Sequence, residues 1–424
     1  MTHAQADAAL QTVVREEWGR LVALLLARYR RLDLVEDALA DAVEAAARTW
    51  GAAGEQDVPD NPAGWLLTAA RRRVLDRLRA EAMHRRRAPL LTTDAELRAA
   101  AAATMADPGR LVENDLLRLV LMCAHPALAP EAASALSLRL VLGVPTPDIA
   151  SLFLVSEPTM AARITRAKKK IVTAGIPFAV PDLEGLPGRL DTVASTAYLA
   201  FTAGYAPGSG PDLMRIELAG EAIRLVRAVL ALRPGEPVLL ALLALTLLQH
   251  SRRDARLDDA GQLVLLPDQD RSRWHRDEIA EGLGLLAAFP ADAPVTAQAA
   301  STWLQACIAG EHARAQTPEQ TRWDRIVAHY DALLALGDSP AARLARCVAL
   351  AEAEGPEAGL AALADVDLPG SHRPPAVRAE LLTRLGRPGA ALAAYDESIA
   401  LCRNDVEREH LVCRRAAVRA AKEP

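Results

Sequence analysis

Apolar positions recur at spacings of three and four residues along most of the chain, and strict alternation is almost absent, so the pattern predicts an all-α protein. It places helices over Leu10 to Arg31 and Leu34 to Thr49. The second of these has Val35, Leu39, Ala42 and Val43 for packing, and Asp33 with Glu36 in the positions of a capping box. The next helix opens at Asn61, an N-cap residue followed by Pro62 where the missing N–H costs nothing. Leu67, Ala70, Val74, Leu78 and Ala82 fall on its packing face, with Trp65, Arg72, Asp76 and Arg79 opposite. Periodicity resumes from Leu111 to Met122, breaks at His125 and Pro126, and continues from Pro130 to Leu142. A helix-turn-helix pattern follows. Thr146 or Pro147 opens a short helix with Ile149, Ala150 and Phe153 inward, and Leu154 and Val155 make the corner. Ser156 then caps a second helix with a buried stripe of Met160, Ile164, Ala167 and Ile171.

Prolines 177, 181 and 187 with Gly185 and Gly188 mark a boundary, after which the pattern predicts nine helices that recur in pairs. They run from Leu190 to Phe201, Ile216 to Leu232, Val238 to Gln249, Ser272 to Phe289, Val295 to Ile308, Arg322 to Leu336, Ala341 to Glu352, Ala376 to Leu385 and Pro388 to Cys402. Leu385 and Gly386 followed by Ala391 and Tyr395 have spacings like those of a tetratricopeptide repeat, so a helical-pair solenoid is the expected architecture. Arg256 to Leu266 interrupts it with an Asp-Asp-Ala-Gly turn and an apolar run, a short hairpin. The charges from Pro267 to Trp274 read most simply as ion pairs and a cap at Asp270 or Ser272, and Phe201 to Tyr205 as a helix end on Gly204. The expected domains are 9–87, a linker over 88–110, 111–175, and an extension over 182–420.

Length and composition agree with this division: 424 residues exceed one ordinary core, and 51% hydrophobic with 4% aromatic residues suits helices. No charge-free run of eighteen apolar residues and no secretory leader is visible, so the expectation is a soluble cytoplasmic chain with no membrane contact. Cys123, Cys307, Cys347, Cys402 and Cys413 are scattered, without a CxxC pair or a nearby His at ligand spacing, and read as reduced thiols; no metal or cofactor is expected. No Ser/His/Asp set, phosphate loop or HExxH motif supports catalysis, so an enzyme is not expected either.

Charge changes the picture most. Asn61 to Arg87 carries eight Arg against Asp76 and Glu81, a net of +6 in a chain whose net charge is -5. Residues 1–180 hold 23 Lys and Arg against 21 Asp and Glu, so the basic surface belongs to the first part. A solvated helix face accounts for many such stripes. The runs Arg71 to Arg73 and Arg85 to Arg87, with a Trp among the arginines, suit a nucleic-acid strand instead: phosphates on Arg, a base on the ring. The second helix-turn-helix element carries Thr159, Arg163, Arg166, Lys169 and Lys170 outside its stripe, as major-groove reading requires.

Together these residues resemble bacterial sigma factors of the extracytoplasmic-function (ECF) type, subunits that direct RNA polymerase to promoters. Asp33-Leu-Val-Glu36-Asp37-Ala-Leu39 is similar to the family's polymerase-binding helix, NPAGWLLTAARRRVLDRLR from Asn61 to its -10 helix, and VSEPTMAARITRAKKKI from Val155 to its -35-reading helix. Ala40, Val43, Ala161 and Ala162 depart from residues common in the family. The resemblance implies two small helical sigma domains, region 2 and region 4, before the solenoid. Asp33, Glu36, Asp37, Leu39 and Asp41 would then contact the polymerase core. Asn61, Trp65, Arg71, Arg72, Arg77 and Arg79 would hold the -10 strand, and the loop from Gly51 to Asn61 would accept an extruded base. Thr159, Arg163, Arg166, Lys168, Lys169 and Lys170 would hold the -35 duplex. Within the family, extensions of this kind accompany loss of an anti-sigma factor, which implies that the extension controls activity, through a protein partner or directly. A helix-turn-helix repressor or scaffold with a protein-binding solenoid is the alternative, and would need no acidic docking helix.

Overall fold

The computed structural model describes residues 3–50, 57–84, 109–153, 155–181, 185–205, 216–290 and 295–422. Residues 88–108 of the expected linker 88–110, the runs Arg85 to Arg87 and 51–56, and Leu154 at the helix-turn-helix corner lie outside these residues, and the linker's last two residues begin a helix. Among the described residues the secondary structure is helical, with one isolated antiparallel bridge, and no helix is long and apolar enough to cross a membrane. The chain divides into two compact units, Met1–Thr196 and Ala197–Pro424.

The first unit contains α1 (His3–Tyr29), α2 (Leu32–Thr49), α3 (Pro62–His84), α4 (Gly109–Cys123), α5 (Pro130–Leu140), α6 (Thr146–Leu152), α7 (Glu157–Thr173) and the start of α8 (Leu186–Tyr205). Helix α3 packs on α2 and α1; α1 also packs on α4 and α5, and α5 on α7. The inner face of α3 is Leu66, Ala70 and Val74, all fully buried, where periodicity alone pointed to Leu67. Ala70 and Val74 are buried as expected, but packing against both α1 and α2 takes Leu66 inward in place of Leu67, and Leu67 and Leu78 are half-buried. Asp33 is not an N-cap: α2 starts one residue before it, after Arg31, and the Asp33 carboxylate accepts two hydrogen bonds from the Arg31 guanidinium, 2.7 and 3.0 Å. Those bonds hold the Asp33 carboxyl below its usual range. The same guanidinium reaches Glu81 of α3 at 3.0 and 3.1 Å, so it fastens the start of α2 to the end of α3.

The second unit opens with the rest of α8 and α9 (Ile216–Leu232), followed by α10 (Pro237–His250) and α11 (Arg276–Ala287). Then come α12 (Ala297–Arg314), α13 (Trp323–Leu336), α14 (Pro340–Glu354) and α15 (Pro356–Leu363). It closes with α16 (Arg373–Arg384), α17 (Pro388–Leu401) and α18 (Asp405–Lys422). From α9 onward each helix packs on the next, and α10 also packs on α12. Neighbours on several sides explain why α10 is apolar all round: from Val238 to Leu248 it is entirely buried. Helices α15 and α18 are additions to the periodicity reading. Arg256 to Leu266 does form a short hairpin, with a Leu257–Leu263 bridge and an Asp258 side chain accepting from the N–H groups of Ala260 and Gln262. The charges after it are structural. Asp270 accepts from the Ser272 N–H at 2.8 Å, and buried Arg271 donates to the carbonyls of His312 and Ala315, both at 2.7 Å.

Candidate nucleic-acid interface

Helix α7 is built as its sequence dictates. Ser156 Oγ accepts from the Thr159 N–H, Pro158 sits in the first turn, and Met160, Ile164, Ala167 and Ile171 are buried. Holding that stripe against α6 and α5 turns Arg166, Lys169 and Lys170 outward, while Arg163 is half-buried. Arg163, Arg166 and Lys170 line one open depression with Leu128, Ala129, Glu131 and Ala132 at the start of α5. Three cations beside a helix N-terminus form a surface suited to phosphate. Thr159 is exposed, its hydroxyl 2.8 Å from that of Ser156.

Helix α3 starts as expected: Asn61 Oδ1 accepts from the Gly64 N–H at 2.9 Å. Its cations are more committed than the sequence implied. Arg77 pairs with Asp41 at 2.7 Å and Asp37 at 3.4 Å, both on α2, and Arg79 lies 3.2 Å from Asp76. This pairing across helices, invisible to an intrahelical count, gives Arg77 two carboxylate partners on α2 while leaving its side chain partly exposed. Arg72 is exposed on the outer face, and Arg71 is half-buried. Trp65 does not stand free: its ring makes an edge-on contact with Trp50, centroids 5.4 Å apart, and Trp50 is buried.

Of the acidic residues of α2, Glu36 is the buried one, while Asp33, Asp37, Asp41 and Glu44 face solvent. Leu39 is fully buried. The Glu36 carboxylate, its side chain 5% exposed, receives the Arg139 Nε at 2.6 Å and pairs with Lys168 of α7. Arg139, on α5, also lies over the Trp18 ring of α1 at 5.5 Å and donates to the Val144 carbonyl. One buried carboxylate thus ties α2 to α5 and α7. As folded here, Glu36 and Leu39 offer no docking surface, and Lys168 is occupied rather than free for phosphate. Asp37 and Asp41 are partly exposed but held by Arg77. Arg139, Trp18 and Arg31 carry no spacing signal in the sequence: each is an ordinary helical residue until its neighbours are known.

Comparison with known proteins matches residues 118–171 to the family described as sigma-70, region 4, the span of α5 to α7 with the end of α4. Residues 189–289 match a family of unknown function, DUF6596. An uncharacterized protein of Rhizobium meliloti (strain 1021) is 41% identical over 391 residues, covering 91% of this chain and 90% of that protein. The relation spans both units, and the helix-turn-helix with its outward cations lies inside the region 4 match. The chain belongs to one family with the Rhizobium protein, and within it residues 118–171 match sigma-70, region 4.

Proposed function

We propose that this chain is a promoter-specificity subunit of bacterial RNA polymerase, of the ECF type, that binds the core enzyme and recognises -10 and -35 elements. It works in the cytoplasm, has no enzymatic activity of its own, and carries an extension, resembling tetratricopeptide repeats, that controls it. The observation that carries the reading is the region 4 match on a helix-turn-helix whose second helix turns Arg166, Lys169 and Lys170 outward, preceded in the chain by the Asn61-capped arginine helix. Helices starting at Trp323, Pro356 and Pro388 alternate with helices starting at Pro340, Arg373 and Asp405, a pair about every 33 residues, which supports the repeat.

The packing of Glu36 and Leu39 adds a condition. Polymerase docking through α2 requires these groups, so the arrangement described is a closed form, and opening must part α2 from α5 and α7. That step gives the extension, or a partner of it, something to control. The inward Glu36 and Leu39 also suit a DNA-binding repressor or scaffold that never meets polymerase.

Run-off transcription from fragmented genomic DNA with bacterial core polymerase separates these readings. The comparison is full-length chain against residues 1–196, cut after Thr196 because Arg189 donates to the Leu121 carbonyl and the Thr196 carbonyl accepts from Ser134, with helicity of the fragment checked by circular dichroism. Discrete starts from the full-length chain alone make the extension an activator; stronger starts from the fragment make it an inhibitor. No starts from either, with core polymerase competent on another sigma factor, overturn the promoter-subunit reading in favour of the repressor or scaffold.

A further inference from the structure

In the C-terminal corner of the second unit, three helix ends bring together His372, Cys402 and Glu407, residues of three different ligand chemistries. One ligand atom from each lies within 4.8 Å of the others. His372 Nε2 is 3.1 Å from Glu407 Oε2. Bonds of about 2.0 Å to nitrogen and oxygen and about 2.3 Å to sulfur put the ligands of one tetrahedral zinc ion roughly 3.3–3.8 Å apart, so the three atoms need only small side-chain shifts to share an ion.

The corner is built rather than incidental. Ser398, fully buried, donates its hydroxyl to the His372 carbonyl at 2.8 Å and accepts from the Cys402 N–H at 3.0 Å, so one residue of α17 fixes the backbones of two of the three. Asn404, 1% exposed, accepts the Glu407 N–H on its side-chain oxygen at 3.1 Å, which sets the first turn of α18 and with it the third. His372 precedes α16, Cys402 ends α17, and Glu407 lies in the first turn of α18. The residues stand 30 and 5 positions apart, so no ligand-spacing motif marks them in the sequence.

We propose that His372, Cys402 and Glu407 form a binding site for a zinc-class divalent cation. On binding, the bond between His372 Nε2–H and the Glu407 carboxylate breaks, the imidazole shifts to its Nδ1–H tautomer so that Nε2 offers a lone pair, and the Cys402 thiol releases its proton to solvent as the metal–sulfur bond forms. The thiolate and carboxylate together cancel the charge of the ion. A thiolate with an imidazole favours zinc over magnesium or calcium, which take oxygen ligands. Three protein ligands leave a fourth position for water or for a ligand from a partner. Burial raises the Cys402 pKa, opposed first by the thiol's hydrogen bond to the Asn404 carbonyl and then by the charges of Arg408 and Arg373, and the bond from His372 holds the Glu407 carboxyl below its usual range. Bound metal would pin α16, α17 and α18 at one point and so rigidify the end of the helical array.

The test uses the full-length chain stripped with chelator and titrated with Co²⁺, then with Zn²⁺ as competitor. The expected result is one Co²⁺ per chain with a thiolate charge-transfer band and tetrahedral visible bands, all displaced by Zn²⁺. Cys413, the exposed thiol, is the control. Cys413→Ser keeps the spectrum, Cys402→Ser loses the charge-transfer band, and His372→Gln and Glu407→Gln each weaken binding at least tenfold. Should Cys402→Ser not fold, the rate of maleimide labelling of the native chain gives the answer, because Zn²⁺ must slow further the slow reaction of the buried Cys402 and leave that of Cys413 unchanged. No charge-transfer band, a band that survives in Cys402→Ser, or protection confined to Cys413 overturns the proposal. None of these outcomes depends on transcription.

Discussion

Arg163 illustrates how little a residue's type says until its neighbours are placed. Its sequence context marked it as a base reader or a phosphate anchor, and its half-buried position beside the start of α5 leaves it facing the depression shared with Arg166 and Lys170. Arg163→Ala is expected to weaken promoter binding by about 1–3 kcal/mol, with relaxed preference at one base pair if the contact is to a base and an even loss across sequences if to phosphate. A gel-shift panel of promoter point mutants reads this, and no change for the variant would remove Arg163 from the interface. Glu36 carries the opposite lesson. Its charge suggested a surface, yet it is the buried centre of a three-residue ion cluster. Replacing Glu36 by Gln leaves Arg139 and Lys168 facing each other without an anion. The expected cost is about 3 kcal/mol, the low end for a broken buried pair because Arg139 and Lys168 remain 17% and 22% exposed. Hydrogen exchange of the full-length chain would show faster exchange over α2 and α7; unchanged protection there would mean that the cluster does not hold the helices together.

Among the elements, α1 does most to decide how the first unit closes. A methyl group at Gly19 would meet the Val141 carbonyl oxygen at 2.1 Å, and one at Gly143, φ 72°, the Trp18 ring at 2.7 Å, so α1 lies directly on the end of α5. Gly19→Ala is therefore expected to destabilise the first unit by about 1–3 kcal/mol through overpacking, seen as an earlier first transition in urea, whereas the same change at Gly175, where a methyl meets nothing but φ is 62°, tests conformational strain alone. Equal effects at the two positions would argue against close approach as the cause. Helix boundaries were readable from the sequence at this scale because Pro, Ser and Asn announce starts: Asn61, Ser156 and Pro388 are where they were expected. Helix α15 was not, because its short run of Ala and Gly around Leu360 and Leu363 sets little contrast between a polar and an apolar face. The inward place of Leu66 on α3 was not readable either, since Leu66 and Leu67 are equally apolar and only the positions of α1 and α2 choose between them.

For the whole molecule, the central question is whether the first unit opens. In the free chain Thr68 on α3 and Val172 on α7 are both exposed, which makes them suitable for dye labels. With Cys413 replaced by Ser, energy transfer between dyes at Thr68→Cys and Val172→Cys is expected to fall when core polymerase is added and to stay constant with DNA alone; transfer unchanged by polymerase would contradict an opening step. What the sequence determined by itself was local. Helix content, caps, the helix-turn-helix and the distribution of charge follow from the order of residues within a few turns, where spacing and backbone preference decide. Only the tertiary structure decided which charges are spent. Glu36 with Arg139 and Lys168, Arg77 with Asp41, Arg31 with Glu81, and His372 with Cys402 and Glu407 are meetings of segments far apart in the chain or at separate helix ends. Coulombic and ligand chemistry depend on distance in space, and no periodicity along the sequence records that distance.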